Sequence, residues 1–295
     1  MHVAFIGFGL IGGSIARAIR ASTTTPAWTM AAWSPSGEGP AQALADDVID
    51  RAAAMPTDAF SDADLVVLAV PPTACLAALD ELAGSWRAAL PTGAIITDVA
   101  STKEAIIRRA DAVGLRFVGG HPMAGLESTG YAASRADLFV DRPWVVIPGR
   151  VATNDDVERV EFLVEACLGR VVRVDAADHD RAVAGISHLP LILAAALVES
   201  VAGGGAGSAR PDWPTAARLS AGGWRDMTRL ARGDPAMGAG IAVTNAAAIA
   251  DRLRDLTAVL EGWRRELEQT GGPDESTLEE RLRAARTRLE DPELP

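Results

Sequence analysis

Three glycines near the start of the chain constrain its fold more than any other feature. Gly7, Gly9 and Gly12 form a G-x-G-x-x-G pattern between an apolar run at residues 2–6 and a helical pattern at 11–20. Between a strand and a helix, such glycines permit a tight turn and let the backbone approach a pyrophosphate at the positive end of the helix. We therefore predict a dinucleotide site. The residues expected to face the dinucleotide are Gly7, Gly9, Leu10, Ile11 and Gly12.

Short β-rich runs alternate with helical stretches through the first half of the chain, which is typical of βαβ units and a parallel sheet. We predict strands at 2–6, 28–33, 64–70, 94–99, 116–119 and 143–148, and helices at 11–20, 73–86 and 102–113. From about residue 178 the sequence is rich in Ala, Leu and Arg and has helical periodicity. In this half we predict helices at 182–201, 215–232, 236–268 and 276–289.

The predicted fold class is α/β, with an N-terminal Rossmann-type doubly wound sheet followed by an all-α C-terminal domain. We assign the dinucleotide-binding domain to residues 1–175 and a helical domain for substrate binding and dimerisation to residues 176–295. The apolar face of residues 241–260 is longer than a short helix bundle needs. We therefore expect a homodimer that forms through the helical domain.

The net charge and the N-terminal sequence limit the classes of partner that we expect for this chain. A formal net charge of -11 argues against nucleic acid and against an anionic membrane, since both would require a basic surface. The first apolar run follows no Lys or Arg and breaks at Gly7, so we expect no signal peptide, no spanning helix and a cytoplasmic location. Cys75 and Cys167 suit neither a disulfide framework nor a metal motif. We expect a small-molecule substrate and no metal, with a local basic pocket if that substrate is acidic.

The second predicted strand ends without the acidic residue that commonly binds the ribose 2′-hydroxyl of NAD. Trp33 is followed by Ser-Pro-Ser, and the hydroxyls of Ser34 and Ser36 could donate to a 2′-phosphate, although no Arg stands nearby. We therefore expect NAD or NADP as the cofactor, with Ser34 and Ser36 at the ribose. Val70, at the end of a predicted strand, is also assigned to cofactor binding.

Lys103 is the only lysine among the 28 Lys and Arg residues. It ends the stretch DVASTK at residues 98–103, where a strand meets a helix at the edge of the sheet that binds ligands. This stretch could be an ordinary helix start, with Ser101 as the cap and Glu104 completing a capping box. A single lysine in an arginine-rich chain instead favours a functional role. We expect Lys103 to contact the cofactor or to fix the loop that bears Ser101.

A histidine lies in the stretch GGHPMAG at residues 119–125, which we predict to be a loop just beyond a strand. The ordinary pKa of histidine, about 6.5, suits a general base at neutral pH. His121 is therefore a candidate catalytic base. The alternative is a loop histidine that only bonds the backbone.

The helical half contributes three further candidates, which are His188, Arg225 and Arg229. A lone histidine within a helix is more often a buried core residue than a ligand, and charged clusters of this kind usually form a solvated face. His179, between two aspartates near a helix start, is interpreted as structural.

Taken together, these stretches resemble the prephenate/arogenate dehydrogenase family. The resemblance runs from residue 1 to about 265 and rests on the motifs GFGLIGGS, DVASTK, GGHPMAGLESTG, DHDRAVAGISHLP and WRDMTRLARGDP, in that order. The resemblance implies an oxidative decarboxylation of tyrosine biosynthesis, in which the substrate ring passes hydride to NAD or NADP and loses carbon dioxide as it becomes aromatic.

The resemblance also implies roles for individual residues. His121 would accept the proton of the ring 4-hydroxyl, and Ser101 would bond both His121 and that hydroxyl. His188 would line the substrate or the nicotinamide, and Arg229 would pair with the ring carboxylate. Prephenate and arogenate differ only in a side-chain keto or amino group. Arg225 is a candidate second cation that would favour prephenate, and Asp226 is a candidate carboxylate that would favour arogenate.

Two other functions stay open on the sequence. One is a hydroxyacid or imine reductase with the same two-domain plan, and the other is a non-catalytic dinucleotide-binding redox sensor. The last thirty residues lie outside the resemblance. Within them, residues 274–290 read as one charged amphipathic helix, so any feedback by tyrosine would have to act at the active site.

Overall fold

The structure is a computed structural model that describes residues 1–23, 27–126, 128–204 and 210–291. Eight strands form one sheet: β1 His2–Ile6, β2 Thr29–Trp33, β3 Arg51–Ala52, β4 Leu65–Leu68, β5 Ile95–Asp98, β6 Phe117–Pro122, β7 Pro143–Pro148 and β8 Arg170–Val172. Their order is β3-β2-β1-β4-β5-β6-β7-β8, and every pair is parallel except β6 and β7. This is the predicted Rossmann-type doubly wound sheet.

The helices associated with the sheet follow the expected alternation. They are α1 Leu10–Ala21, α2 Glu38–Ala45, α3 Pro56–Phe60, α4 Pro72–Ala83, α5 Glu104–Ala112 and α6 Asn154–Ala166. Strand β1 shows why the sequence forms a central strand, because Val3 and Phe5 pack into one core while Ala4 and Ile6 pack into the other. A strand buried on both faces reads as a continuous apolar run.

From residue 176 the described chain contains only helices and loops, as predicted for this half. The helices are α7 Ala176–Val183, α8 Leu189–Ala202, α9 Trp213–Leu219, α10 Gly222–Met227, α11 Pro235–Thr244, α12 Ala246–Leu267 and α13 Glu275–Leu289. A π-helical turn, Ala184–His188, joins α7 to α8, and a 3-10 turn, Arg229–Arg232, follows α10.

Three predicted elements differ from the structure. The predicted helix 215–232 is broken, since α9 ends at Leu219 and α10 starts at Gly222, where the sequence Ser-Ala-Gly-Gly has poor helix propensity. The predicted helix 236–268 is likewise two helices with Asn245 between them. Strand β6 extends through His121 to Pro122, beyond the predicted end at residue 119. Pairing of β6 with β7 overrides the weak strand propensity of Gly-Gly-His-Pro.

The described chain divides into two compact units, residues 1–249 and 250–295. Within the first unit, α11 packs on α4 and α7 packs on α5, so the first helices after residue 176 join the Rossmann sheet in one body. Thr102 and Thr244 also share a hydrogen bond of 2.8 Å between their hydroxyls. Within the second unit, the Arg281 guanidinium lies over the Trp263 ring, 4.0 Å from its centroid.

The sequence predicted no spanning helix, but the continuous helix Ala176–Ala202 is long and apolar enough to cross a membrane by length and composition alone. Most of its apolar segment is not buried. Its first half carries buried polar side chains at His179, Asp180 and His188. Ile186, in the π-helical turn, is exposed, and the large apolar side chains of α8 are half-buried.

Candidate active site

The glycine turn after β1 has the shape that a dinucleotide requires. Gly7 has a φ of +85°, and a Cβ at this position would meet the Ala69 carbonyl oxygen at 2.5 Å and a Val70 methyl at 2.3 Å. Gly12 allows α1 to pack closely on the Ala69 side chain. A Cβ at Gly9, in contrast, would meet nothing within 4 Å, so this backbone faces open space. Each glycine thus has the role that its position in the motif predicts.

The start of α1 suits an anion. Gly9 is the N-terminal cap and provides no side-chain hydrogen bond, and the first turn contains no acidic residue. Leu10 and Ile11, which begin the helix, are only half-buried. Unsatisfied N–H groups and the helix dipole therefore both favour a phosphate here.

Two serines follow β2 where an acidic residue would bind a ribose. The Ser34 hydroxyl is buried and has no hydrogen-bond partner within the described chain. The Ser36 hydroxyl accepts from the Glu38 backbone N–H at 3.3 Å, which leaves its own proton available. The open glycine backbone and the unpartnered Ser34 hydroxyl together fit a bound dinucleotide.

Lys103 is completely buried, and its ammonium group pairs with the Asp98 carboxylate. The same carboxylate accepts from the backbone N–H of Ala100 at 3.0 Å and of Gly120 at 3.1 Å. The pair therefore joins the end of β5 to β6. The ammonium group is enclosed with Asp98, and the expected contact of Lys103 with the cofactor stays a prediction. The geometry agrees with the expectation that Lys103 fixes the loop that bears Ser101.

His121 lies on β6, opposite Val145 of β7, and not on a loop as predicted. The side chain is 8% exposed. Its Nδ1 lies 2.8 Å from Nε2 of His179. A strand holds a side chain more rigidly than a loop, so His121 has a fixed direction at the carboxyl edge of β5 and the neighbouring end of β6.

His179 and Asp180 connect the helical region to this strand. His179 Nδ1 lies 2.8 Å from Asp180 Oδ1. The Asp180 carboxylate also accepts from the backbone N–H groups of Lys103, at 2.8 Å, and Glu104, at 3.0 Å. Asp180 therefore caps α5, and the capping box of Ser101 and Glu104, which the sequence left as an alternative, is not formed. His179, interpreted as structural on the sequence, contacts the candidate base directly.

Burial lowers the pKa of His121 well below its ordinary value of 6.5, and the neighbouring His179, Lys103 and His188 lower it further. Burial opposes ionisation of Asp180, but hydrogen bonds from His179 and from the Lys103 and Glu104 backbone outweigh it and lower the pKa of Asp180. At neutral pH the cluster therefore contains a neutral His121 and an ionised Asp180.

His188 lies in the π-helical turn and is completely buried. Asn245, in the break between α11 and α12, donates from Nδ2 to the Asp180 carbonyl at 2.8 Å and lies 3.1 Å from His188 Nδ1. Burial lowers the pKa of His188 to about 4, although Asp180 opposes this shift. A neutral His188 that accepts from Asn245 at Nδ1 carries its proton on Nε2.

Two buried polar atoms in this region have no hydrogen-bond partner within the described chain: His188 Nε2 and the Ser101 hydroxyl. A buried polar group without a partner is costly, so each is a candidate contact for a ligand. The bond between Ser101 and His121 that the resemblance implies is therefore not formed in this structure. We call His121, His179, Asp180 and His188 the base cluster.

Arg225 and Arg229 lie on an exposed segment of the helical half. Arg225 is on α10 and Arg229 begins the 3-10 turn that follows it, and we call residues 222–232 the arginine segment. This segment packs on α8 through the 3-10 turn. Both arginine side chains are exposed, so the structure does not include them in the base cluster.

Sequence analysis missed three residues of this site. His179 and Asp180 were visible as an Asp-His-Asp run, but nothing in the sequence showed that this run would meet β6 and the start of α5. Asn245 was hidden within a predicted helix. Its one local signal is the pair Thr-Asn at 244–245, both weak helix formers inside an Ala-rich stretch.

A doubly wound sheet with this glycine turn, together with an acid–base cluster at the carboxyl edge of its strands, defines a dinucleotide-dependent oxidoreductase. Comparison with known sequences gives the family. Residues 15–173 match the prephenate dehydrogenase nucleotide-binding domain, and residues 175–283 match the prephenate dehydrogenase dimerization domain. The chain belongs to the prephenate dehydrogenase family.

Individual relatives agree with this result. The chain is 35% identical to a prephenate dehydrogenase of Bacillus subtilis over 266 residues, which cover 89% of this chain and 67% of that protein. It is 34% identical to a cyclohexadienyl dehydrogenase of Zymomonas mobilis, covering 84% of this chain and 82% of that protein. The solved structure of Synechocystis arogenate dehydrogenase superposes with a TM-score of 0.74 at 28% identity, covering 98% of this chain and 100% of the other.

Proposed function

We propose that this chain catalyses the oxidative decarboxylation of prephenate to 4-hydroxyphenylpyruvate in tyrosine biosynthesis, with hydride transfer to NAD or NADP. The alternative substrate within the family is arogenate, which would give tyrosine directly. The observation that carries the proposal is His121, which is buried on a strand and bonded to His179, in a region where two buried groups lack partners, Ser101 and His188. Family membership weighs against a hydroxyacid or imine reductase.

Each buried group has a task in this reaction. His121 accepts the proton of the ring 4-hydroxyl, for which it must be neutral when the substrate binds. The Ser101 hydroxyl and His188 Nε2–H are hydrogen-bonding groups that would orient the same end of the ring. A bound NAD or NADP would supply the hydride acceptor for ring C4, and the ring carboxylate would leave as carbon dioxide. Loss of the hydride, the hydroxyl proton and carbon dioxide leaves an aromatic phenolate, and return of the proton from His121 gives the phenol, so atoms and charge balance.

The arginine segment supplies the positive charge that an acidic substrate needs in an acidic protein. Arg229 pairs with the ring carboxylate through its planar guanidinium, and Arg225 lies near the substrate side chain. Both side chains are exposed before the substrate arrives, which is compatible with recruitment of an anion from water. A cation at Arg225 favours prephenate over arogenate, since the keto acid carries one more net negative charge.

Gly7, Gly9, Leu10, Ile11, Gly12 and Val70 would contact the dinucleotide, and Ser34 and Ser36 would face its ribose. With no carboxylate at the end of β2, neither cofactor is repelled there. We propose that both NAD and NADP are used.

The assembly and location complete the proposal. We propose that the chain is divided functionally at residues 175 and 176 and acts as a cytoplasmic homodimer through its helical domain. The mostly unburied apolar face of α8 and exposed side chains such as Ile186 and Val243 support an interface on this half. Light scattering on the purified protein would show a dimer. Partition of the protein into detergent or membrane fractions would instead favour insertion of Ala176–Ala202.

The first experiment is an assay of the purified protein with prephenate or arogenate, each with NAD or NADP, that follows nicotinamide reduction. Turnover in any combination supports the reaction class, and the four values of kcat/KM give the substrate and cofactor preferences. If no combination gives nicotinamide reduction while the dinucleotide still binds, the result would support the non-catalytic sensor instead.

A further inference from the structure

The mechanism above uses His121 but gives no task to the two residues behind it. His121 Nδ1, His179 Nε2, His179 Nδ1 and the Asp180 carboxylate form a hydrogen-bonded chain with two links of 2.8 Å. All three side chains are buried, with exposures of 8%, 3% and 2%. The chain runs from a strand of the Rossmann sheet into helix α7, so its geometry depends on how these two elements pack.

The direction of each hydrogen bond follows from Asp180. Its carboxylate accepts from two backbone N–H groups, those of Lys103 and Glu104, so it is anchored as an acceptor. His179 Nδ1 must then donate to it, and in a neutral ring the proton on Nδ1 leaves Nε2 with a lone pair. His179 Nε2 can therefore only accept, and the group that faces it is His121 Nδ1. His121 consequently carries its proton on Nδ1 and presents the lone pair of Nε2.

We propose that His179 and Asp180 are positioning residues that hold His121 in the tautomer whose Nε2 is free to accept the hydroxyl proton of the substrate. The inference deepens the proposed function and rests on it only for the identity of the proton donor. Without this chain, nothing in the described site selects between the two tautomers of His121. In the other tautomer, the lone pair of His121 would point at His179 and not at the substrate.

The arrangement also affects the positive charge that develops on His121 when it accepts the proton. When Nε2 takes the proton, the ring becomes a cation that keeps its Nδ1 proton on the bond to His179. Lys103 and a neutral His188 are the other groups that face His121, and the charge of Lys103 opposes formation of this cation. The Asp180 carboxylate, acting through His179, is the negative charge that opposes Lys103. Asp98 is paired with Lys103 itself.

Nuclear magnetic resonance tests the tautomer without any assay. The chain has only four histidines, so the imidazole signals of protein labelled with ¹⁵N-histidine can be assigned by single substitutions. At neutral pH we expect His121 and His179 to be protonated on Nδ1 and His188 to be protonated on Nε2. A wild-type His121 that is protonated on Nε2, or a doubly protonated His179, would overturn the proposal whatever the reaction is.

The variant His179→Phe removes the acceptor while keeping a ring of similar size. We expect the His121 signal to shift towards the Nε2-protonated form and kcat to fall about 10- to 100-fold, with KM and dinucleotide affinity nearly unchanged. His2→Phe is the matched control, because His2 bonds Thr29 on the adjacent strand and contacts none of the base cluster. It should leave both readouts unchanged.

The variant separates a positioning role from a structural one. If His179→Phe leaves the His121 tautomer and kcat unchanged, the proposal is wrong. If the variant only raises KM or destabilises the fold while the His121 tautomer is retained, His179 is a packing residue and the proposal is also wrong. Failure of the proposed function would look different, since the wild-type tautomers would be as expected while neither prephenate nor arogenate is turned over.

Discussion

The base cluster and the arginine segment are built in opposite ways. His121, His179, Asp180 and His188 are buried, and hydrogen bonds from backbone and side chains fix their directions. The arginine segment is a short helix and a 3-10 turn whose two candidate arginines are exposed. A proton acceptor must be neutral and aligned before the substrate arrives, whereas a cation that recruits an anion must be reachable from water.

The two regions differ in how far their polar groups are removed from water. Burial lowers the pKa values of His121 and His188, so the base cluster obtains its neutral histidines from desolvation. The two arginines are exposed, so they add little to the stability of the fold and their contribution is expected on substrate binding. Substitutions in the base cluster should therefore change turnover or folding, and substitutions in the arginine segment should change substrate affinity.

The largest effect is expected for His121→Asn, which removes the proton acceptor and keeps a polar side chain of smaller size. We expect kcat to fall about 10³-fold, the usual range for loss of a general base. Dinucleotide affinity, measured by fluorescence titration, should be unchanged because the glycine turn is intact. A variant that retains more than a tenth of wild-type turnover would show that the proton goes elsewhere.

Lys103→Met should cost about 3–5 kcal/mol of unfolding free energy, since removal of one partner leaves the Asp98 charge buried and unpaired. Urea denaturation measures this change. Arg225→Met in the arginine segment is the control, and its cost should stay within about 0.5 kcal/mol because the side chain is exposed. The double variant Lys103→Met/Asp98→Asn should recover part of the loss. Equal costs for Lys103→Met and Arg225→Met would abolish the contrast between the two regions.

Arg229→Lys keeps the positive charge and loses the planar pair of donors. We expect KM for the acidic substrate to rise about tenfold with little change in kcat, because a point charge replaces a bidentate hydrogen bond. Arg232→Lys, at the end of the same exposed turn, should leave both constants unchanged. A fall in kcat at constant KM would place Arg229 with the groups that act in the transition state.

The smallest effect is the response of kcat to mild acid. His121 accepts a proton only when neutral, and a histidine is neutral above its pKa. Because the pKa of His121 lies well below 6.5, its neutral form persists as the pH falls from 7.5 to 6. We expect kcat to change less than about twofold over this range and to fall only at lower pH. A half-loss of kcat near pH 6.5 would indicate a histidine with an ordinary pKa and therefore an exposed base.

The sequence predicted the part of this molecule that depends on local chemistry. The glycine turn and the alternation of strands and helices follow from residues adjacent in the chain. His121 was singled out by its local motif, and the roles of Ser101 and His188 were implied by the family resemblance and stay predictions. The contact between His179 and His121 could not be predicted, since 58 residues separate them and only the packing of α7 on α5 brings them together. The same holds for Asp180 as the cap of α5, where a local capping box at Ser101 was the stronger sequence signal.

In strand β6, the local composition predicts a loop, but the structure forms a strand. Gly-Gly-His-Pro has the composition of a loop, and only its hydrogen bonds to Trp144, Val145 and Val146 on β7 make it a strand. Propensity was overruled by pairing across the sheet. Lys103 was singled out because it is the only lysine, and the structure explains its burial through Asp98, although no local pattern pointed to that pairing.

The most direct test of the account is a crystal structure of the protein with oxidised dinucleotide and 4-hydroxyphenylpyruvate. We predict that the phenolic oxygen lies about 2.6–3.2 Å from His121 Nε2 and within hydrogen-bond reach of the Ser101 hydroxyl or His188 Nε2. The dinucleotide phosphates should lie at the glycine turn. A phenolic oxygen bound away from the base cluster, with His121 Nε2 bonded to protein, would contradict the assignment of His121 as the base.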